Sequence, residues 1–313
     1  MPIMRLQIMR LMPELTKEKL VIKSMPVNNT EPVPKWTEIL SPHTSLFNFK
    51  FKEIWKYKDL LILFVKRDFK AQYRQTILGP LWHVIQPVFT TLIFLVIFNN
   101  LAKIPTDGIP AVLFYMSSLT IWNYFSSCLT STSNTFVANA GIFGKVYFPR
   151  LVLPLSVVLS NIVKFAIQFG LLIVLYAYYL TTGQFQFSFG LHLLLIPFIV
   201  IVMALLGLGL GIIISSLTTK YRDFAVLISF GVQLLMYITP VAYPLSYAME
   251  SKYRLLMLYN PLSSLVEGFR YAVFGIGTLN TNLVIYSLVF ALVAVFSGII
   301  IFNKVERSFM DTV

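Results

Sequence analysis

The sequence predicts an all-α membrane protein: six transmembrane helices behind an N-terminal amphipathic interface helix. Three observations carry this. Of 313 residues, 57% are hydrophobic and only 12% are charged, about half the charge of an ordinary soluble domain. A water-soluble globule of this length cannot hide that much apolar surface. The charges are also segregated, because residues 1–80 hold 14 of the 25 Lys/Arg and 7 of the 13 Asp/Glu. Five runs free of charged residues then follow, at 75–102, 108–144, 165–219, 224–249 and 271–303, where one span needs about 20 residues. A lone cysteine, Cys128, excludes a disulfide scaffold, and the hydrophobicity excludes a disordered chain.

Residues 1–54 read as a cytoplasmic tail, with Pro26, Pro32, Pro34 and Pro42 among polar residues. Charges interrupt residues 1–30 too often for the apolar core of a signal peptide, so none is expected. Residues 55–78 read as the interface helix. Leu61, Val65, Phe69 and Tyr73 recur at i+4 on one face, and Lys66, Lys70 and Arg74 on another. Such a helix lies in the membrane interface with its cations towards water and anionic headgroups. Gly79-Pro80 stops it, and Trp82 suits the membrane boundary.

The six-helix domain covers 79–303, with spans near 82–101, 111–130, 151–180, 192–217, 224–243 and 283–302. They are helices because lipid offers no partner to unpaired backbone groups, and the runs lack the period-two alternation of a barrel. Gly207, Gly209 and Gly211 supply small residues for close helix approach. Residues 304–313 are a second tail. Counting Lys and Arg places both termini in the cytoplasm: 20 fall on that side, and Lys103, Lys252, Arg254 and Arg270 on the other.

Familiar catalytic patterns are missing. The segment 139–146 lacks the first glycine of a phosphate-binding loop, and Val146 stands where Ser or Thr would hold Mg²⁺. His43, His83 and His192 lie in different segments and make no metal pattern with Cys128. No Gly-x-Ser-x-Gly occurs. The six spans carry no carboxylate of the kind a proton-coupled carrier uses. The chain is not expected to be an enzyme, and any transport draws its energy from elsewhere. A membrane scaffold stays open as the bland alternative.

Ordered segments add a resemblance. The stretch from Lys66-Arg67-Asp68 to Gly79-Pro80-Leu81-Trp82, followed by Gln86-Pro87, is similar to the opening of ABC-2 type permeases that export O-antigen, capsule or teichoic acid. Gly144 to Arg150 with Pro154, then Tyr221-Arg222-Asp223, then Thr239 to Pro244, then Asn260-Pro261-Leu262 with Glu267 and Arg270, follow in the same order. The resemblance covers about residues 50–313. It implies a six-span protomer working as a homodimer in the bacterial inner membrane. It also implies a separate ATPase subunit in two copies that binds ATP and Mg, with no cofactor on this chain. The implied substrate is a polysaccharide on a polyprenyl diphosphate lipid. A permease for a drug or small lipid shares this fold and remains the alternative.

In that family the interface helix and the loop between spans two and three lie against the ATPase. The matching candidates for docking or headgroup contact are Arg67, Lys70, Tyr73 and Arg74 on the helix, and Phe143, Lys145, Tyr147 and Arg150 in the loop. Membrane anchoring alone also explains the cations. A glycan path needs polar and aromatic groups. Trp122, Asn123 and Tyr124 offer them in span two, Gln233 and Tyr237 in span five, and Asn161, Lys164 and Gln168 on one face of span three. Helix packing and snorkelling of Lys164 are the competing accounts. Residues 244–277 resemble the pair of short external gate helices of these exporters. Glu267 and Arg270 there are spaced to pair, unless the segment is a solvated hairpin.

Overall fold

The computed structural model describes residues 51–309 apart from 75, 144–147, 186–189, 219–220, 222, 250–251 and 278, all within one unit spanning Leu46–Val313. The N-terminal tail up to residue 50, together with Lys145 and Tyr147, lies outside the described residues. Every regular element among those described is helical.

Two helices lead in, α1 (Phe51–Lys56) and α2 (Lys58–Tyr73). A 3-10 turn at Gly79–Leu81 feeds α3 (Trp82–Phe94), which continues as a π-helix through Leu95–Leu101. Next come α4 (Ala111–Ser133) and two single turns, α5 (Thr135–Ala138) and α6 (Ala140–Phe143). Three longer helices follow: α7 (Val152–Thr181), α8 (Leu195–Thr218, after a 3-10 turn from Leu191) and α9 (Phe224–Ile238). Short α10 (Leu245–Met249) and α11 (Arg254–Leu258), then α12 (Pro261–Phe274), precede the closing helix α13 (Thr281–Phe309).

Four stretches are long and apolar enough to cross a membrane: Gly79–Leu101, Val152–Thr181, Leu191–Thr218 and Thr281–Lys304. The chain is a multi-pass membrane protein on that basis. The other two expected spans differ for physical reasons. Helix α4 has 23 residues and is about 35 Å long, yet it carries Ser117, Ser118, Thr120, Ser126, Ser127 and Thr130. It tolerates them because protein, not lipid, surrounds it: Leu113 through Trp122 is buried without a break. Several of its hydroxyls donate to carbonyls of their own helix, such as Ser118 and Ser117 to Phe114 and Thr120 to Met116.

Helix α9 has 15 residues, about 22 Å against a hydrocarbon core of about 30 Å. It ends at Ile238 rather than near Tyr243. Pro240 offers no N–H and drives Thr239 to extended backbone at ψ 139°. The chain then turns back. Asn260 caps α12 by accepting from Leu262 N–H, and its amide donates to Thr239 Oγ1 at 3.0 Å. Gly275 closes α12 in the left-handed conformation, φ 70°.

Close backbone approach holds the bundle. A Cβ on Gly207 would stand 2.6 Å from Cys128 Cβ, and one on Gly211 2.6 Å from Thr132 Cβ, both on α4. On the other side of α8, a Cβ on Gly209 would lie 2.6 Å from the Val295 nitrogen of α13. Gly298 reciprocates, its Cβ falling 2.9 Å from Gly209 O. Glycine spacing read from the sequence thus sets two helix interfaces at once. Outside this core, α3 and α9 present exposed apolar side chains such as Phe89, Ile93, Val226 and Phe230, the natural surface for lipid or another apolar partner.

Gly209→Val is expected to lower stability by about 1–3 kcal/mol or more, because backbone must move to admit it. Gly231→Ala, with nothing within 4 Å, should leave it unchanged or raise it by about 0.5–1 kcal/mol. Thermal midpoints of the detergent-solubilised proteins make the comparison.

Candidate functional site

The sequence candidates fall into four places along α4 and beside it. At the end of the bundle that carries α2, Phe64 is buried against Phe148, with ring centroids 5.6 Å apart. Val152 and Leu153 of α7 complete a small apolar cluster, joined by Leu60, Leu61, Tyr57 and Ile142. So α2 sits on the start of α7 and on the segment that leads into it. Arg67 then reaches across: its Nη2 donates to Asn139 Oδ1 at 3.0 Å, and it pairs with Asp68 at 2.7 Å. Its guanidinium also lies 4.8 Å from the Phe64 ring centre. Helix α2 and the segment between α4 and α7 meet here.

Other members of that set are placed differently. Lys70 and Arg74 are exposed on α2, and Arg150 is half-buried just before α7. Tyr73 packs edge-on to Phe69 and to His83, and burial raises its phenol pKa above the usual value. Phe143 closes α6, its side chain outside the described set.

The second place is the seam between α4 and α7. Asn123 Nδ2 donates to Gln168 Oε1 at 3.3 Å, and Tyr124 packs on Phe165 at 5.2 Å. Asn161 is buried, and Lys164 is half-buried beside it on the same face. Trp122 is buried against Phe125. Residues expected to line a path are therefore drawn together inside one bundle. Gln233 and Tyr237 are the third group, and they lie on the exposed face of α9. No hydrogen bond among the described residues joins them to the seam.

The fourth place is the α12 end, where Glu267 and Arg270 do pair. Arg270 is 1% exposed, so α12 is packed into the bundle rather than solvated. Its Nη1 donates to Ser118 Oγ on α4 at 3.0 Å and to the Pro240 carbonyl at 3.1 Å, and its guanidinium stacks 4.2 Å from the Phe114 ring centre. Glu267 also accepts from Leu245 N–H at the start of α10. Asp107, in left-handed backbone at φ 49°, accepts from Ser246 beside it. One buried ion pair thus ties α4, the turn after α9, α10 and α12 together. The six spans as read lack a carboxylate, but α12 brings one into the bundle.

Sequence reasoning missed Phe64, Phe148, Asn139, Ser118 and Phe114. The i, i+3 and i, i+4 spacing of Leu60, Leu61 and Phe64 was a usable signal. Nothing in the chain marks Ser118 as the partner of a residue 152 positions away.

Comparisons with known proteins agree with the ordered motifs. The profile of the ABC-2 type transporter family matches residues 59–274. An O-antigen export system permease protein RfbA of Klebsiella pneumoniae is 30% identical over 254 residues, 81% of this chain and 94% of the relative. A protein of the same name from Myxococcus xanthus is 29% identical over 221 residues, 70% of this chain and 82% of that relative.

Arg270→Met is expected to cost about 3–5 kcal/mol, because it leaves Glu267 charged and unpaired. Adding Glu267→Gln should recover part of the loss. Thermal unfolding of the two single variants and the double variant reads the coupling; strictly additive losses would show the pair is not a unit.

Proposed function

Because the chain belongs to the ABC-2 type transporter family, we propose that it is the membrane subunit of an ATP-driven exporter. Its cargo on this reading is a polysaccharide of the O-antigen type on a polyprenyl diphosphate lipid, moved from the cytoplasm across the bacterial inner membrane. The observation that carries the reading is the relative named as an O-antigen export permease, aligned over 94% of its length.

On this reading α4 and α9 join the four apolar stretches to make six spans in a domain covering 79–303. Residues 1–54 and 304–313 are cytoplasmic tails, and both termini face the cytoplasm. Helix α2, within 55–78, is the interface helix, and α10 to α12 form the external gate. Two copies of this chain work with two copies of an ABC ATPase, which binds the ATP and Mg. The junction of α2 with the 134–150 segment receives the ATPase. There the Arg67–Asn139 bond and the Phe64–Phe148 packing provide a stiff link from an outside push to the start of α7. The exposed cations Lys70 and Arg74 are free to meet acidic groups of the ATPase or lipid headgroups. Gln233 and Tyr237 face the glycan path from the exposed side of α9, where a second copy completes the wall. The Glu267–Arg270 pair holds the gate closed from inside.

Two measurements test this. The purified chain alone should hydrolyse no ATP, and a separate ATPase should co-purify with it. Arg74→Glu should cut surface glycan severalfold while lipid-linked glycan builds up inside. Unchanged surface glycan at normal protein level would remove Arg74 from the docking role. Depletion of the chain with no loss of surface glycan would overturn the transport reading itself.

A further inference from the structure

Between α9 and α12 the chain leaves the bundle and returns to it. Thr239 to Ala242 and Pro244 are buried on the way out, and Leu262 to Val266 on the way back. From Leu245 to Tyr259, the stretch that holds α10 and α11, no described residue is buried. Tyr247, Met249, Tyr253, Leu255 and Leu256 are all exposed. A segment without core contacts of its own, between two buried flanks, sits at the low-stability end of a fold, and a few specific bonds decide where it rests. Pro244 bounds it on one side and Asn260-Pro261 on the other.

Two bonds secure its ends: Leu245 N–H donates to Glu267, and Tyr286 Oη donates to the Tyr259 carbonyl at 3.2 Å. A third comes from far away in the chain. Ser246 Oγ donates to the Asp107 carboxylate, with Oδ2 at 2.8 Å and Oδ1 at 3.0 Å. Asp107 is built to receive it. It is the first central residue of a tight turn from Thr106 to Ile109, with φ 49° at Asp107 and 79° at Gly108. Positive φ at both central positions is the pattern of a type I′ turn, in which Asp-Gly is a preferred pair. Ile109 N–H donates to the Thr106 carbonyl at 3.0 Å, and Thr106 Oγ1 donates to the Ile109 carbonyl at 2.7 Å. Ile109 itself is buried. The turn is therefore a rigid post that holds one carboxylate towards α10. The two ties also differ in kind. Arg270 is buried, so opening its pair with Glu267 would strand charge inside the bundle. Ser246 and Asp107 are exposed, so water can take the place of either partner when their bond opens.

We propose that Asp107 and Ser246 form the releasable catch of a flap, residues 245–259, which swings on its proline-bounded ends while α12 stays fixed. The post between α3 and α4 is the part the flap closes against, and the buried Glu267–Arg270 pair is its frame. The bond sits two residues beyond Pro244, where it sets the direction in which α10 leaves the bundle. Opening it costs one exposed hydrogen bond and uncovers no core, which is what a reversible movement requires. The inference deepens the gate named above. It rests on the transport reading only for the claim that release serves export.

Two measurements on the full-length chain test it. In detergent, Ser246→Ala and Asp107→Ala should each raise amide hydrogen exchange across 245–259 by about threefold or more and leave α12 unchanged. Ser246→Ala leaves the turn intact, so it keeps the test valid where Asp107→Ala disturbs the post. No rise in Ser246→Ala, or an equal rise in α12, overturns the catch. In cells, Asp107→Cys and Ser246→Cys are combined and bridged with a short bis-methanethiosulfonate reagent; the native Cys128 is buried and does not compete. Bridging should stop the appearance of new surface glycan, reduction should restore it, and the two single variants should export normally under the same treatment. Complete bridging with undiminished export overturns the release step, and failure of the folded double variant to bridge overturns the contact. If depletion of the chain leaves surface glycan unchanged, the transport reading fails, and the exchange result alone decides the catch.

Discussion

Close approach between three helices is the constraint on which the rest of the structure depends. Gly207 and Gly211 let α8 touch α4, while Gly209 and Gly298 let it touch α13. No side chain fits in those gaps: α8 meets α13 backbone to backbone and meets the Cys128 and Thr132 side chains and nearby backbone of α4, where dispersion forces act on many atoms at once. Lipid tails are as apolar as leucine, so packing of this kind, not exclusion from water, is what gathers helices in a membrane. With α8 on one side and α7, α3 and α12 around the rest, α4 is enclosed.

Enclosure changes what α4 can carry. A helix facing lipid must be apolar, whereas an enclosed one can hold hydroxyls and amides, provided its neighbours or its own carbonyls satisfy them. Each place of interest uses this freedom. Near its start Ser118 accepts from Arg270, in its middle Asn123 bonds Gln168, and just past its end Asn139 receives Arg67. Helix α4 therefore reaches from the α12 clamp to the short turns whose Asn139 meets α2.

How much was legible in the chain depends on the range of the interaction. The pairing of Glu267 with Arg270 and the shared face of Asn161, Lys164 and Gln168 could be read from spacing, because helical geometry fixes neighbours three and four residues apart. The stop at Pro240 was visible but was set five residues too late, since the proline acts on the residue before it. Phe64 against Phe148 was not legible, although both residues lie beside the predicted site. Their meeting depends on how α2 lies across the start of α7.

Hydropathy and charge alone were enough to establish a membrane-embedded helical chain with its cations concentrated near the N-terminus, since composition decides which solvent a segment tolerates. The ordered motifs added the family. Tertiary structure alone decided which polar residues face one another. It turned a list of path candidates into an interior seam and an exposed pair on α9, and the expected Glu267–Arg270 pair into a buried clamp. The physical reason is that a polar residue in a membrane helix has the same spacing whether it points to lipid, to a neighbour or to a cavity. Only the packing around it determines which of these it meets.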